Sequence, residues 1–266
     1  MAETKMSVKL LAHTQLSEDY CSMLSDDNEE VYDRIADGTI ADGQAVALSA
    51  IRTCYSANKP SEIVAKEGAK YFGNKATDGG TGSEADRLFR HIVGSGHTST
   101  LEHISFTFAI EGVSRALLAQ LTRHRVGFSF SVQSQRYVRL GSNDRSGGMD
   151  YVVPHTVTDD KSREFGPFGY ETSDEVFEAA MNYAQDCYDR LRECGVPAED
   201  ARAVLPNAAA TNLVMTANLT ALLSFYSKRR PGNGAQKEIT DLAVALKDAV
   251  INVEPWTKPY FEMEAK

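Results

Sequence analysis

Ile104, Phe106, Phe108 and Ile110 alternate with Ser105, Thr107 and Ala109. That period of two predicts a half-buried strand over residues 104–110. Shorter strands are expected over residues 7–12 and 213–217. Elsewhere the apolar positions recur at helical spacing. Residues 44–54 carry Val46, Leu48 and Ile51. Ser83 with Asp86 opens a helix bearing Leu88, Phe89, Ile92 and Val93, closed by Gly94 and Gly96. Ser114 is a suitable N-cap for a helix with Leu117, Leu118 and Leu121 on one face. Thr172 and Glu175 form a capping-box pattern before Val176, Phe177, Ala180, Met181, Tyr188 and Leu191, and Gly195 ends that run. Pro197 suits the first turn of the next helix, which ends near Pro206. Residues 219–229 read as a helix stopped by Pro231 and Gly232, and a last helix aligns Ile239, Leu242, Ala243, Leu246 and Val250.

Between these elements, residues 25–30 read as an acidic surface loop and residues 59–82 as a flexible connection ending in Asp78-Gly79-Gly80-Thr81-Gly82. Residues 140–170, rich in Gly, Asp and Ser, are expected to be irregular. No repeat or linker divides the chain. Helices interleaved with a few strands give a single α/β domain over residues 1–266, with flexible surface insertions.

Composition narrows the function. A hydrophobic fraction of 42% is ample for a core, and a formal charge of −9 argues against a nucleic-acid coat, which needs a wide basic field. The four cysteines, Cys21, Cys54, Cys187 and Cys194, form no C-x-x-C pair and are too few for a disulfide scaffold. With no apolar leader visible and no run near ~20 apolar residues, a cytoplasmic protein without a membrane span is expected.

Against that acidic background, Arg123-His124-Arg125 and Ser134-Gln135-Arg136-Tyr137 gather cations around a small, hydroxyl-rich segment. Guanidinium groups bind phosphate bidentately, and Ser and Gln can read the polar edge of a planar ligand. Arginines that merely complement a helix dipole would account for Arg123 and Arg125 but not for Arg136. The Gly79–Gly82 region lacks the Gly-Lys-Ser/Thr ending of a phosphate loop and is read as a mobile loop. His97 and His103 alone are too few for a zinc site, and His103 is expected to be a packed histidine beside Glu102. Cys54, with no basic partner in sequence, is expected to be a buried packing residue rather than a nucleophile.

Four collinear elements resemble the flavin-dependent thymidylate synthase family. They are Gly96-His97-Thr98-Ser99-Thr100-Leu101-Glu102-His103; Arg123-His124-Arg125 with Ser134-x-Arg136-Tyr137; Ala201-Arg202-Ala203-Val204-Leu205-Pro206 with Asn218 and Lys228-Arg229; and Ala235-Gln236-Lys237-Glu238-Ile239. The resemblance implies an α+β fold with a central, mostly antiparallel sheet flanked by helices. It also implies reductive methylation of dUMP to dTMP, with methylenetetrahydrofolate as carbon donor, NADPH as reductant and FAD as cofactor, in a homotetramer whose sites are shared between protomers. No enzyme nucleophile is implied.

Carried over, Gln120, Arg123, Gln133, Ser134, Gln135, Arg136, Arg202 and Arg229 would hold dUMP, with Arg229 as the activating cation and Arg230 as its alternative by one residue. His97, Ser99, Arg123, His124, Arg125, Asn218, Thr220 and Ser224 would meet FAD. The chain departs from the family pattern in three places, of which those at Val132, Thr220 and Ser224 bear on the flavin contacts. The spacer from Arg125 to Ser134 is eight residues, Val132 replaces a usual Glu or Gln, and Thr220 and Ser224 stand where an Arg and an Asn or His are expected. Two other classes remain open: a non-catalytic nucleotide or RNA-binding module, and a metal-dependent hydrolase built on His97, Glu102 and His103.

Overall fold

The computed structural model describes residues 1–164 and 169–262. In chain order the elements are β1 (Ser7–His13), α1 (Glu18–Asp27), α2 (Glu29–Ala36), α3 (Asp42–Thr53), α4 (Ile63–Gly73), α5 (Glu84–Gly94), β2 (Ser105–Ser114), α6 (Arg115–Leu121), β3 (Phe128–Val132), β4 (Ser162–Glu164), β5 (Tyr170–Thr172), α7 (Ser173–Glu193), α8 (Ala198–Ala201), β6 (Ala210–Asn218), α9 (Leu219–Arg229), α10 (Lys237–Val253) and α11 (Lys258–Glu262). Four strands form one antiparallel sheet in the order β1-β2-β6-β3, and β4 pairs with β5 in a separate hairpin.

The alternation in β2 decides which face of the sheet is covered. Phe106, Phe108 and Ile110 are fully buried, together with Met215 and Ala217 of β6, against the apolar stripes of the helices. Each such aromatic stabilises the fold by about 1.5–3 kcal/mol through burial. The opposite face carries small polar residues. Thr107 and Thr216 sit opposite each other with their hydroxyls 2.9 Å apart, and Ser129 and Ser131 of β3 are exposed.

Several helix boundaries follow directly from caps. Ser83 and Asp86 form the expected capping box, Thr172 and Glu175 another, and Ser114 Oγ accepts from Leu117 N at 2.9 Å. A second clamp holds the same end of α6: Ser114 N and Oγ donate to the two oxygens of Glu238 at 2.7 and 2.6 Å. The Gln236–Glu238 stretch at the start of α10 therefore anchors α6.

The structure differs from the sequence expectations in three stretches. The acidic run at 25–30 is not a loop but the junction of α1 and α2, where Asn28 accepts from Val31 N and buries its amide against Ala65 O at 2.7 Å. Residues 59–82 are not all a flexible connection, because α4 buries Ile63, Val64, Tyr71 and Phe72. Residues 128–132, read only as a polar ligand segment, form the edge strand β3. The expected irregularity of residues 140–170 holds apart from the hairpin strands; residues 165–168 lie outside the described residues. Among the described residues no helix is long and apolar enough to cross a membrane.

Candidate active site

The Arg123-His124-Arg125 triplet sits in the turn between α6 and β3, where His124 N donates to Leu121 O at 3.0 Å. The turn then closes through Gly127 at φ 74°, a left-handed conformation in which a Cβ would approach the Asn218 amide to 2.7 Å. Asn218 supports the turn from two directions. Its N–H donates to Gly127 O at 3.1 Å, and its side-chain oxygen caps α9 by accepting from Ala221 N at 2.8 Å.

The imidazole of His124 is half-buried, edge-on to Phe225 with ring centroids 4.9 Å apart and tilted against Phe128 at 6.1 Å. Burial, and after it the charges of Arg229, Lys228 and Arg123, hold its pKa below the ordinary histidine value. A neutral ring can accept, and His124 Nε2 does so from Arg229 Nε across a long 3.4 Å contact. That contact draws Arg229, the last residue of α9, back over the triplet. It leaves the two terminal guanidinium nitrogens of Arg229 for a ligand.

Arg123, His124, Arg125, Val126, Phe128, Ala221, Ser224 and Lys228 enclose a cleft of about 220 Å³. Its three formal cations are exposed and no carboxylate lines it. Such a donor set fits the phosphate portion of a dinucleotide, with Phe128 as an apolar wall. A hydrogen bond from Thr220 Oγ1 to Thr98 O, 2.6 Å, ties the turn containing His97 and Ser99 to α9. That bond occupies the Thr220 hydroxyl as a donor, and Thr220 does not line the cleft.

A second group forms beyond the far end of β3. Arg136 Nε meets Glu199 Oε2 at 2.5 Å, and Arg136 N donates to Ser134 Oγ at 3.2 Å. Arg202 Nε donates to Glu199 O at 2.8 Å, so Glu199 gathers both arginines. Gln135 Nε2 is buried without a hydrogen-bond partner. Gln133 Oε1 accepts from Asn212 Nδ2 at 3.2 Å, which fixes its side chain on the sheet edge. Gln120 belongs to neither group: its amide donates to Gln236 Oε1 at 2.5 Å. Through Gln236 it abuts a larger cavity of about 690 Å³ that also reaches Ser114, Ala116, Pro206 and Asn207.

Arg115 is the cation that motif reading missed. It is half-buried, and its pKa is lowered by burial and then by the charge of Arg202. Among the described residues it has no carboxylate partner. Its charge and that of Arg202 oppose each other, and an anion between them would relieve that repulsion. Only the polarity of Arg115 beside the Ser114 cap could have flagged it, and a solvated helix-end arginine looks the same in sequence.

Two expectations need correction. Cys54 is exposed rather than buried, because it lies past the end of α3 where the chain turns outward. His103 is also exposed and lines a separate groove with Tyr20 and Thr53 instead of packing beside Glu102. Among the described residues no three His, Cys, Asp or Glu side chains stand together as metal ligands.

Residues 34–256 match the family described as thymidylate synthase complementing protein. The chain is 41% identical over 211 residues to a flavin-dependent thymidylate synthase of Geobacter sulfurreducens, covering 79% of this chain and 78% of that one. It is 39% identical over 202 residues to the enzyme of the same name from Halobacterium salinarum, covering 72% and 81%. Among solved structures, a UMP/dUMP methylase PolB from Streptomyces cacaoi bound with 5-Br dUMP superposes with a TM-score of 0.64 at 24% identity, over 98% of this chain and 96% of that one. The arginine-lined turn, the second arginine group beyond β3 and these matches together place the chain in the flavin-dependent thymidylate synthase family.

Proposed function

We propose that this protein converts dUMP to dTMP in the cytoplasm, with FAD as cofactor, methylenetetrahydrofolate as carbon donor and NADPH as reductant. The observation that carries the reading is Arg229, held by a neutral histidine that lines the cation-rich cleft. C5 of a uracil ring is a weak nucleophile. A fixed cation beside the ring favours its N3-deprotonated form and enriches C5 in electron density, so no enzyme thiolate is required. When bound, the flavin supplies the reducing equivalents and carries the one-carbon unit. Arg123, Arg125 and Ser224 would hold its phosphates, with the turn bearing His97 and Ser99 alongside and Asn218 and Thr220 fixing the backbone that frames the cleft. Arg202, Arg136, Ser134, Gln135 and Gln133 would bind the nucleotide, joined by Arg115, with Gln120 beside them.

The spacing of the two groups favours a site shared between protomers. Residues 123–125 precede β3 and residues 134–136 follow it; eight residues separate them, five of these in the strand at roughly 3.3 Å each. No hydrogen bond or ion pair joins them among the described residues. Val126 and Tyr137, flanking the strand, are 86% and 78% exposed. A homotetramer that brings the Arg136 group of one protomer to the Arg229 cleft of another would complete the site and cover these side chains.

Purified protein loaded with FAD is expected to form dTMP, and to oxidise NADPH faster when dUMP is present. Protein that takes up no FAD and makes no dTMP under reducing, anaerobic conditions would sink the reading. A non-catalytic binding module would bind nucleotide without a flavin spectrum. Sharing has its own test. At dUMP concentrations too low for Arg136→Ala to bind it, Arg136→Ala and Arg229→Ala chains, each without turnover alone, are expected to regain part of the activity when mixed and reassembled. An active monomer by light scattering would exclude the shared site.

A further inference from the structure

Lys228 is the one cation of the cleft that the functional reading leaves without a task. Ala221, Ser224 and Lys228 fall at i, i+3 and i+7 on α9, a single helical face, and all three line the cleft. Lys228 forms no ion pair among the described residues, whereas Lys66 of α4 and Lys237 and Lys247 of α10 pair with nearby acids. Its charge is felt at His124, where it stands next after Arg229 among the cations that keep the ring neutral. The ammonium is therefore directed toward the triplet as well as toward solvent. Thr220, two turns earlier, has its hydroxyl committed to Thr98 O. Ser224 and Lys228 are thus the polar groups that α9 presents to the cleft.

Three cations around about 220 Å³, with no acid between them, repel one another unless an anion with several charges enters. We propose that Lys228 binds the diphosphate of the flavin dinucleotide, acting from the face of α9 that Thr220 leaves unserved. The inference rests on the functional reading above and adds a ligand-binding residue to it. It also implies selectivity, because the ammonium contributes only when the flavin carries phosphate.

The test is binding, followed by flavin fluorescence as protein stripped of cofactor is titrated with FAD and, separately, with riboflavin. Lys228 is exposed, so Lys228→Gln and Lys228→Arg should keep the wild-type Tm. Lys228→Gln is expected to weaken FAD about tenfold, as for loss of one hydrogen bond to a charged group, and to leave riboflavin unchanged. Its FAD affinity should also depend less steeply on salt, and Lys228→Arg should retain most of the wild-type affinity. Unaltered FAD affinity in Lys228→Gln overturns the proposal, as does an equal loss for FAD and riboflavin. A change confined to the preference for NADPH over NADH overturns it too, by assigning the lysine to the reductant's phosphate. Wild-type protein that binds no flavin overturns the functional reading itself, and this inference falls with it.

Discussion

Arg229→Lys is expected to slow turnover about 100-fold while the dissociation constant for dUMP changes little. Lysine keeps the charge but loses the planar fork. Nε of Arg229 faces His124, so the two terminal nitrogens are the ones presented to a ligand, and an ammonium cannot reproduce that division. An interaction that strengthens as negative charge develops on the ring appears in the rate rather than in ground-state affinity. Arg136→Ala should show the opposite pattern. Its guanidinium already pairs with a carboxylate at the surface, and its loss should weaken dUMP binding by roughly 2–5 kcal/mol with a smaller effect on the bound reaction. Arg230 caps α9 through its backbone N–H to Tyr226 O at 2.8 Å, so Arg230→Ala serves as the control and should be mild. Pre-steady-state measurement of dTMP formation at saturating dUMP separates these cases. Near-normal turnover in Arg229→Ala with a dead Arg230→Ala would move the role by one residue. Normal turnover in both would remove the activation role.

The parts of the fold that were legible in sequence are those whose signal is local. β2 announced itself by strict alternation, and α5, α6 and α7 by a cap followed by a stripe. α9 was bounded by the Pro231-Gly232 stop, while its Asn218 cap emerged only in the structure. The parts that were not legible depend on distant partners. The junction of α1 and α2 looks like an acidic loop because its order comes from Asn28 reaching Ala65 O, 37 residues away. α4 follows a Pro-containing turn and precedes a glycine-rich one, and its stripe was masked by those flanking breakers. β3 carries a two-residue alternation of Phe and Ser, but the arginine motifs on either side drew attention to ligand chemistry and away from the strand. In the site, motifs located Arg123, His124, Arg136 and Arg229 in the chain. That His124 is held neutral between Phe128 and Phe225 and orients Arg229 is a property of packing, and no spacing in the sequence encodes it. The same holds for Arg115, whose significance lies in its nearness to Arg202.

Raising the pH from 5 to 9 is expected to remove about 3 kcal/mol of stability through one buried carboxyl, Glu254. This side chain is 1% exposed and joins the end of α10 to the start of α3. Its two oxygens accept from Gly43 N at 3.0 Å and from Trp256 Nε1 at 2.5 Å, and a Cβ at position 43 would lie 2.5 Å from Oε1. Burial pushes its pKa up from 4.5 to about 7; the Trp256 and Gly43 hydrogen bonds oppose the shift without cancelling it, and Asp42 adds to it. An acid whose native pKa lies above its unfolded value binds a proton in the native state that the unfolded chain has already released. Its contribution is therefore complete below about pH 4.5, declines as pH rises, and is gone above about 7. Urea unfolding across this range measures the slope. Trp256 is the only tryptophan in the chain, so its emission should titrate at the same midpoint. Glu254→Gln cannot ionise, and one of the two N–H donors must then face its amide nitrogen. The variant should start less stable than wild type at pH 5, lose this part of the pH slope, and show no change in Trp256 emission near pH 7. A variant that keeps the wild-type slope would assign the alkaline destabilisation to other groups.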